Sequence, residues 1–350
     1  MYRAARGPVR HAPPMPEREA SLTVVIPSAD RPGTLERCLA SLAAQRLRPG
    51  AVKVGLDGGA GARVEALHRR WSPHVPGLDV RALPRAGSQP ARAALLASVQ
   101  TPYTLCLNDD VEAQPTLVEA HLDRLGAGDP VLVTGPCRQS AADPADPRPA
   151  TLLDRLVEET DLVFFDASAA AAAGELTYRH CYGLNLSAAT ELLRRDGGFL
   201  DLPGRYGYED LELAWRLTRR HGVALRWAAG AGVVHTHRLS VEQLCVREER
   251  LGATAWDVAA RNGGFMRELL GLDCRSADHL SFCRRAVDRG AADAARCRAS
   301  FERLAAMPAE TIPPGSPLLI ELQHFWIPLK RQLWRQGLIL GAEQEKGRAG

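Results

Sequence analysis

Short apolar runs alternate with amphipathic stretches through the first part of the chain. Leu22 to Ile26 (LTVVI) is continuous, apolar and rich in β-branched residues, which predicts a strand covered on both faces, ended by Pro27. A polar turn leads into a helix that carries Leu35, Cys38, Leu39, Leu42 and Ala43 on one face, with Pro32 suited to its first turn. The cycle then repeats. Val52 to Leu56 is a second strand that stops at Asp57-Gly58-Gly59, and Leu78 to Leu83 is a third. Ala91 to Val99 is helical, Tyr103 to Leu107 is a fourth strand ending at Asn108-Asp109-Asp110, a helix runs from about Pro115 to Leu125, and Val131 to Thr134 is a further strand. Strands alternating with helices predict an α/β fold with a mostly parallel central sheet flanked by helices. Ligands of such sheets bind beyond the carboxyl ends of the strands. The polar residues at those ends are Ser28, Asp30, Asp57, Asn108, Asp109 and Asp110.

Outside this core the pattern changes. Residues 1–20 are basic and Pro-rich and read as a disordered arm, and residues 139–150 (QSAADPADPRPA) as a linker or mobile loop. The Ala-rich run at 167–173 reads as helix or loop. From Tyr182 the signal is mixed: YGLNLS, a helix, the loop GGFLDLPGRYGYED, the helix LELAWRLTRRH, and short strands near Val223–Trp227 and Gly232–His235. The division is therefore a domain at 21–240 and a helical extension at 241–350.

The extension holds HFWIPLKRQLWRQGLIL, in which Trp326, Ile327, Leu329, Leu333, Trp334 and Leu338 mix with Lys330, Arg331 and Arg335. This segment suits peripheral contact with an anionic membrane, or docking on the domain or on a second subunit in a homo-oligomer. Pro328 should limit the helix.

Composition narrows the class. Of 350 residues, 45% are hydrophobic and 24% charged, ordinary for a folded chain, and the net charge of +3 argues against nucleic acid as a partner. Eight cysteines are scattered with no C-x-x-C pair, several inside apolar runs, which favours reduced core thiols and a cytoplasmic location. The N-terminus lacks the apolar core of a signal peptide, and no run of 18 apolar residues occurs.

Three elements carry candidate chemistry, each with a plainer alternative. Asp109-Asp110 at a strand end suits a hard divalent cation, and Asn-Asp-Asp equally starts a helix. Glu209-Asp210, opening a helix after a Gly-rich loop, suits a general base and also simply complements the helix dipole. His235-Thr236-His237 places two imidazoles two residues apart, on one face of a strand, as metal ligands or as surface residues.

Taken in order, VVIPSADRPGTLERCLASLAAQ, LDGGAG, SQPARAALLASV, YTLCLNDDVEAQPTLV, YGLNLSAATELLRRDGGFLD with GYEDLELAWRLTRRHG, and GVVHTHRLS resemble glycosyltransferase family 2 over about residues 21–250. The resemblance implies a GT-A fold with a nucleotide-binding half at 21–138 and an acceptor half at 150–240. It implies an inverting, hexosyl-type transferase that takes a nucleotide-diphospho-sugar donor and a saccharide, lipid-linked or small-molecule acceptor. Asp57 would contact the base, with Ser28 lining the same pocket, and Arg92 would approach the base or the phosphates. Asn108 stands in the first acidic position of the metal strand, next to Asp109, which would reach the ribose. Asp110 would hold Mn2+ or Mg2+, completed by His235 or His237. Asp210 would be the base, with Glu209 orienting the acceptor or a loop. Leu56 and Gly59 depart from the family's second-strand turn, Ala29-Asp30 from its opening turn and Asn108 from its metal strand, which bears on the identity of base and donor. A retaining transferase or a non-catalytic nucleotide-sugar-binding protein on the same fold are the alternatives.

Overall fold

The computed structural model describes residues 21–29, 31–126, 130–140, 146, 148–160, 162–163 and 167–349. The expected N-terminal arm, Asp30 and half of the 139–150 loop (141–145 and 147) lie outside the described residues.

The elements follow in the order β1 (Leu22–Ser28), α1 (Pro32–Ala43), β2 (Ala51–Asp57), α2 (Gly61–Trp71), β3 (Leu78–Leu83), α3 (Ser88–Ala97), β4 (Tyr103–Leu107), β5 (Val111–Ala113), α4 (Leu117–Leu125), β6 (Val131–Thr134), β7 (Cys137–Gln139), α5 (Leu152–Glu159), α6 (Ala167–Ala173), β8 (Asn185–Ala189), α7 (Thr190–Arg194), α8 (Glu209–His221), β9 (Ala224–Trp227), β10 (Val233–His235), α9 (Val241–Arg261), α10 (Gly263–Leu270), α11 (Ala277–Ala305) and α12 (Leu318–Ala349). The central sheet has the order β3-β2-β1-β4-β8-β6-β9, in which β8 alone runs against its neighbours; a small second sheet has the order β5-β10-β7. This is the mixed α/β architecture that the hydrophobic pattern predicts.

Every residue of β1 is buried, as a strand with helices on both sides requires. The strand nevertheless continues through Pro27 to Ser28, paired with Leu56 of β2. Its pairing with β4 stops at Val25, so Pro27 falls where β1 has one neighbour only, a place where a missing N–H is tolerated. That extra length carries Ser28 to the strand end.

The described cysteines are all free thiols, and six of them are buried. Among the described residues no helix is long and apolar enough to cross a membrane.

The C-terminal helices are bound into the molecule by close packing. A Cβ at Gly252 of α9 would come within 2.0 Å of the Trp334 carbonyl oxygen, and one at Gly337 of α12 within 1.9 Å of that of Glu249. Only glycine permits this backbone approach. Trp326, Leu329, Leu333 and Leu338 are buried within the chain, while Ile327 is exposed. Pro328 does not limit the helix, because α12 runs through it. Burial of Leu322, Trp326, Leu329 and Leu333 against Phe301 and Leu244 outweighs the one lost backbone hydrogen bond.

Candidate active site

The strand ends bring together residues far apart in sequence. Beyond β4, Asp109 and Asp110 are buried to 2% and 5% exposure. The Ser28 hydroxyl, at the end of β1, donates to Asp109 Oδ2 at 2.6 Å. Arg31 spreads its guanidinium over both acids, bonding Asp109 and lying 2.8 Å from Asp110 Oδ2. Burial raises the Asp109 carboxyl above its ordinary value, reinforced by the negative charge of Asp110 and opposed by Arg31. Burial pushes Asp110 the same way, but the attraction and hydrogen bond of His235, with that of Arg31, prevail and hold it well below the usual carboxylate range.

His235 ends β10, opposite Val111 of β5 and Gln139 of β7, which places it beside Asp110. Its Nε2 lies 3.3 Å from Asp110 Oδ2. Its Nδ1 meets Gln139 Oε1 at 2.8 Å, and the Gln139 amide orientation is set because Nε2 donates to the His237 carbonyl at 2.8 Å. Nδ1 must therefore be the donor. Nε2 thus faces the Asp110 carboxylate across 3.3 Å, where a proton or a cation can sit between them. β10 ends at His235, so strand alternation does not extend to His237, although the two rings remain neighbours with centroids 6.2 Å apart.

A second group lies around Arg92 of α3. The guanidinium donates to Asn108 Oδ1 at 2.8 Å, approaches Glu209 Oε1 at 3.9 Å and stacks over the Phe199 ring at 5.4 Å. It so links the residue before the acidic pair to the start of α8. Gly183 is small for this reason, since a Cβ there would meet Arg92 Nη1 at 2.8 Å. The Gly183 N–H donates to Asp210 Oδ2 at 2.7 Å, and the Leu211 N–H to Oδ1 at 2.9 Å. Burial raises the carboxyls of both Asp210 and Glu209; Glu209 reaches about 7, helped by repulsion from Asp210.

The helix start is held from behind. Gly207 and Tyr208 both have positive φ, 90° and 72°. For Tyr208 this is a strained conformation, and Trp334 Nε1 of α12 donates to its hydroxyl at 3.2 Å. Asp57, expected at the nucleotide base, accepts from the backbone N–H groups of Ala86 and Gly87 at 2.6 and 3.0 Å, and so shapes the loop before α3.

Several buried polar atoms here have no hydrogen-bond partner: Asp110 Oδ1, Arg92 Nε and Glu209 Oε2. Folded proteins leave few such atoms, and their gathering marks a place shaped for something else. Among the described residues no three or more His, Cys, Asp or Glu side chains converge as a metal site. The orphaned Asp110 oxygen and the imidazole beside it do fit the sparse protein donor set of a divalent cation whose remaining ligands are phosphate and water.

Arg31, Gln139, Gln89 and Gly183 belong to this region and escaped the sequence reading. Nothing in their spacing pairs residue 31 with 109 or 139 with 235; only the sheet register does.

The family model "Glycosyl transferase family 2" matches residues 23–179. No curated protein matches the chain. Among solved structures, the chain is similar to a mannosyltransferase from Pyrobaculum calidifontis in complex with GDP-Man and Mn2+, at 17% identity and TM-score 0.57, over 93% of this chain and 88% of that one. It is also similar to glucosyl-3-phosphoglycerate synthase from Mycobacterium tuberculosis (19%, TM-score 0.47, 73% and 86%). A third is TarS 1-349 of S. aureus with UDP-GlcNAc (14%, TM-score 0.47, 93% and 92%). The first of these supports the GT-A fold.

Proposed function

From the match of residues 23–179 to the glycosyl transferase family 2 model, we propose that this chain moves a hexosyl-type sugar from a nucleoside-diphosphate donor to an acceptor hydroxyl, with inversion and with a divalent cation, Mn2+ or Mg2+. The observation that carries the reading is the set of buried, unpartnered polar atoms on Asp110, Arg92 and Glu209, near the ends of strands β1 and β4.

Asp110 and His235 would hold the cation, with His237 nearby, and the cation, when bound, would neutralise charge growing on the leaving diphosphate. Asp109, pinned by Ser28 and Arg31, would reach the ribose of the donor. Asp57 would serve that side through the Ala86–Gly87 loop that it shapes. Arg92 and Asn108 connect that half to the acceptor half.

Asp210 would take the proton from the acceptor hydroxyl. Burial raises its proton affinity, and its two oxygens are held by the Gly183 and Leu211 N–H groups. Glu209, 3.9 Å from the Arg92 guanidinium, would orient the acceptor or a loop.

The test is a panel of nucleotide sugars measured by thermal shift and by donor hydrolysis, with and without Mn2+. One donor should raise the melting temperature and be hydrolysed only with the cation. No shift and no hydrolysis across the panel would reject the reading.

A further inference from the structure

A cavity of about 630 Å³ adjoins the site without containing any of the acids. Its wall includes Gln139 on one side and Tyr182 on another. Gln139 is the side chain that orients His235, and Tyr182 precedes Gly183, whose N–H holds Asp210. The cavity therefore borders both the cation side and the base side of the proposed reaction. The volume falls in the range of small-molecule sites.

Its chemistry narrows the occupant. Trp227, at the end of β9, and Tyr182 are half-buried aromatic side chains on the wall, and Glu158, Glu159, Arg138 and His180 supply polar groups. Glu159 is committed to Arg155 at 2.7 Å. Among the described residues, Arg138 is the single Arg or Lys on the wall. Phosphate recognition calls for clustered guanidinium or ammonium groups, which this wall lacks. An aromatic face beside carboxylates instead suits a ring that presents C–H groups on one side and hydroxyl donors at its edge.

Resting on the transferase reading above, we propose that this cavity is the acceptor site and that it takes an uncharged saccharide, with Trp227 as the stacking platform and Glu158 accepting ring hydroxyls. Trp227 is then a specificity-determining residue that acts on the acceptor alone.

The experiment uses the full chain and a donor found by hydrolysis. Transfer is measured to a panel of p-nitrophenyl α- and β-pyranosides, and to glycerol 3-phosphate and hexose phosphates. Trp227→Ala should raise the acceptor KM about ten-fold, the scale of one lost aromatic platform, while donor hydrolysis to water stays within about two-fold of the parent. Trp227→Phe should recover part of the loss. Three outcomes overturn the proposal: transfer unaffected by Trp227→Ala, hydrolysis falling together with transfer, or transfer to the phosphorylated acceptors alone. A parent that hydrolyses no donor would instead sink the transferase reading, so the two failures are distinguishable.

Discussion

Replacing Glu209 by Gln should stabilise the protein at mildly alkaline pH and leave it nearly unchanged at acidic pH. Glu209 is 9% exposed, and its Oε2 has no hydrogen-bond partner. Burial, with repulsion from Asp210, lifts its carboxyl from the ordinary 4.5 to about 7 against the pull of Arg92. A carboxyl whose folded pKa lies above its unfolded one keeps a proton in the native state that the unfolded chain has already released. Its contribution is therefore most favourable below pH 4.5 and is lost progressively as pH rises to about 7. At about 1.4 kcal/mol per pH unit, that gap corresponds to about 3 kcal/mol by pH ~8. Gln keeps the shape and never ionises. His121 acts in the opposite sense over nearly the same window. It is fully buried, and burial lowers its pKa from 6.5 to about 4 despite a hydrogen bond to Asn185, so its contribution fades as pH falls through that range. The parent's own pH profile sums both effects, and only the difference between variant and parent isolates Glu209. Urea midpoints of the two proteins compared at about pH 5 and about pH 8 supply that difference. A gap that fails to widen with pH, or that favours the parent at the higher pH, refutes the argument.

Three other outcomes are expected. Asp110→Asn should lower cation-dependent donor turnover by about 10²-fold or more, the scale of losing one electrostatic stabiliser; near-normal turnover rejects Asp110 as the cation-holding acid. Gly337→Ala should cost about 1–3 kcal/mol, read as a lower melting temperature, because its Cβ would press on the Glu249 carbonyl oxygen at 1.9 Å. Trp334→Phe keeps an aromatic ring at this position but removes the hydrogen bond to Tyr208. It should cost about 1 kcal/mol and lower kcat more than donor KM, whereas an equal loss in a variant far from α8 would show that stability alone is at work.

The placement of Tyr208 explains why α12 matters to a site it does not enter. The acids at 209 and 210 follow two residues in left-handed conformation, and glycine alone adopts that conformation at little cost. Tyr208 is held there by Trp334, while a Cβ on Gly207 would meet Leu251 of α9 at 2.5 Å. The acids thus inherit their position from the helical extension.

The periodicity of apolar residues, by itself, determined the alternating strands and helices, the parallel sheet, and which polar residues stand at the strand ends, because burial on two faces demands continuous apolar runs and leaves chemistry to the rims. Which side chains meet was decided only by tertiary structure. Arg31 reaches Asp109 and Asp110, and Gln139 faces His235, through sheet register that no local pattern encodes. Asp57 faces a backbone loop for the same reason. The continuation of α12 past Pro328 was likewise a matter of packing, since the local cost of proline is set against burial of Trp326 and Leu329, which only the folded chain supplies.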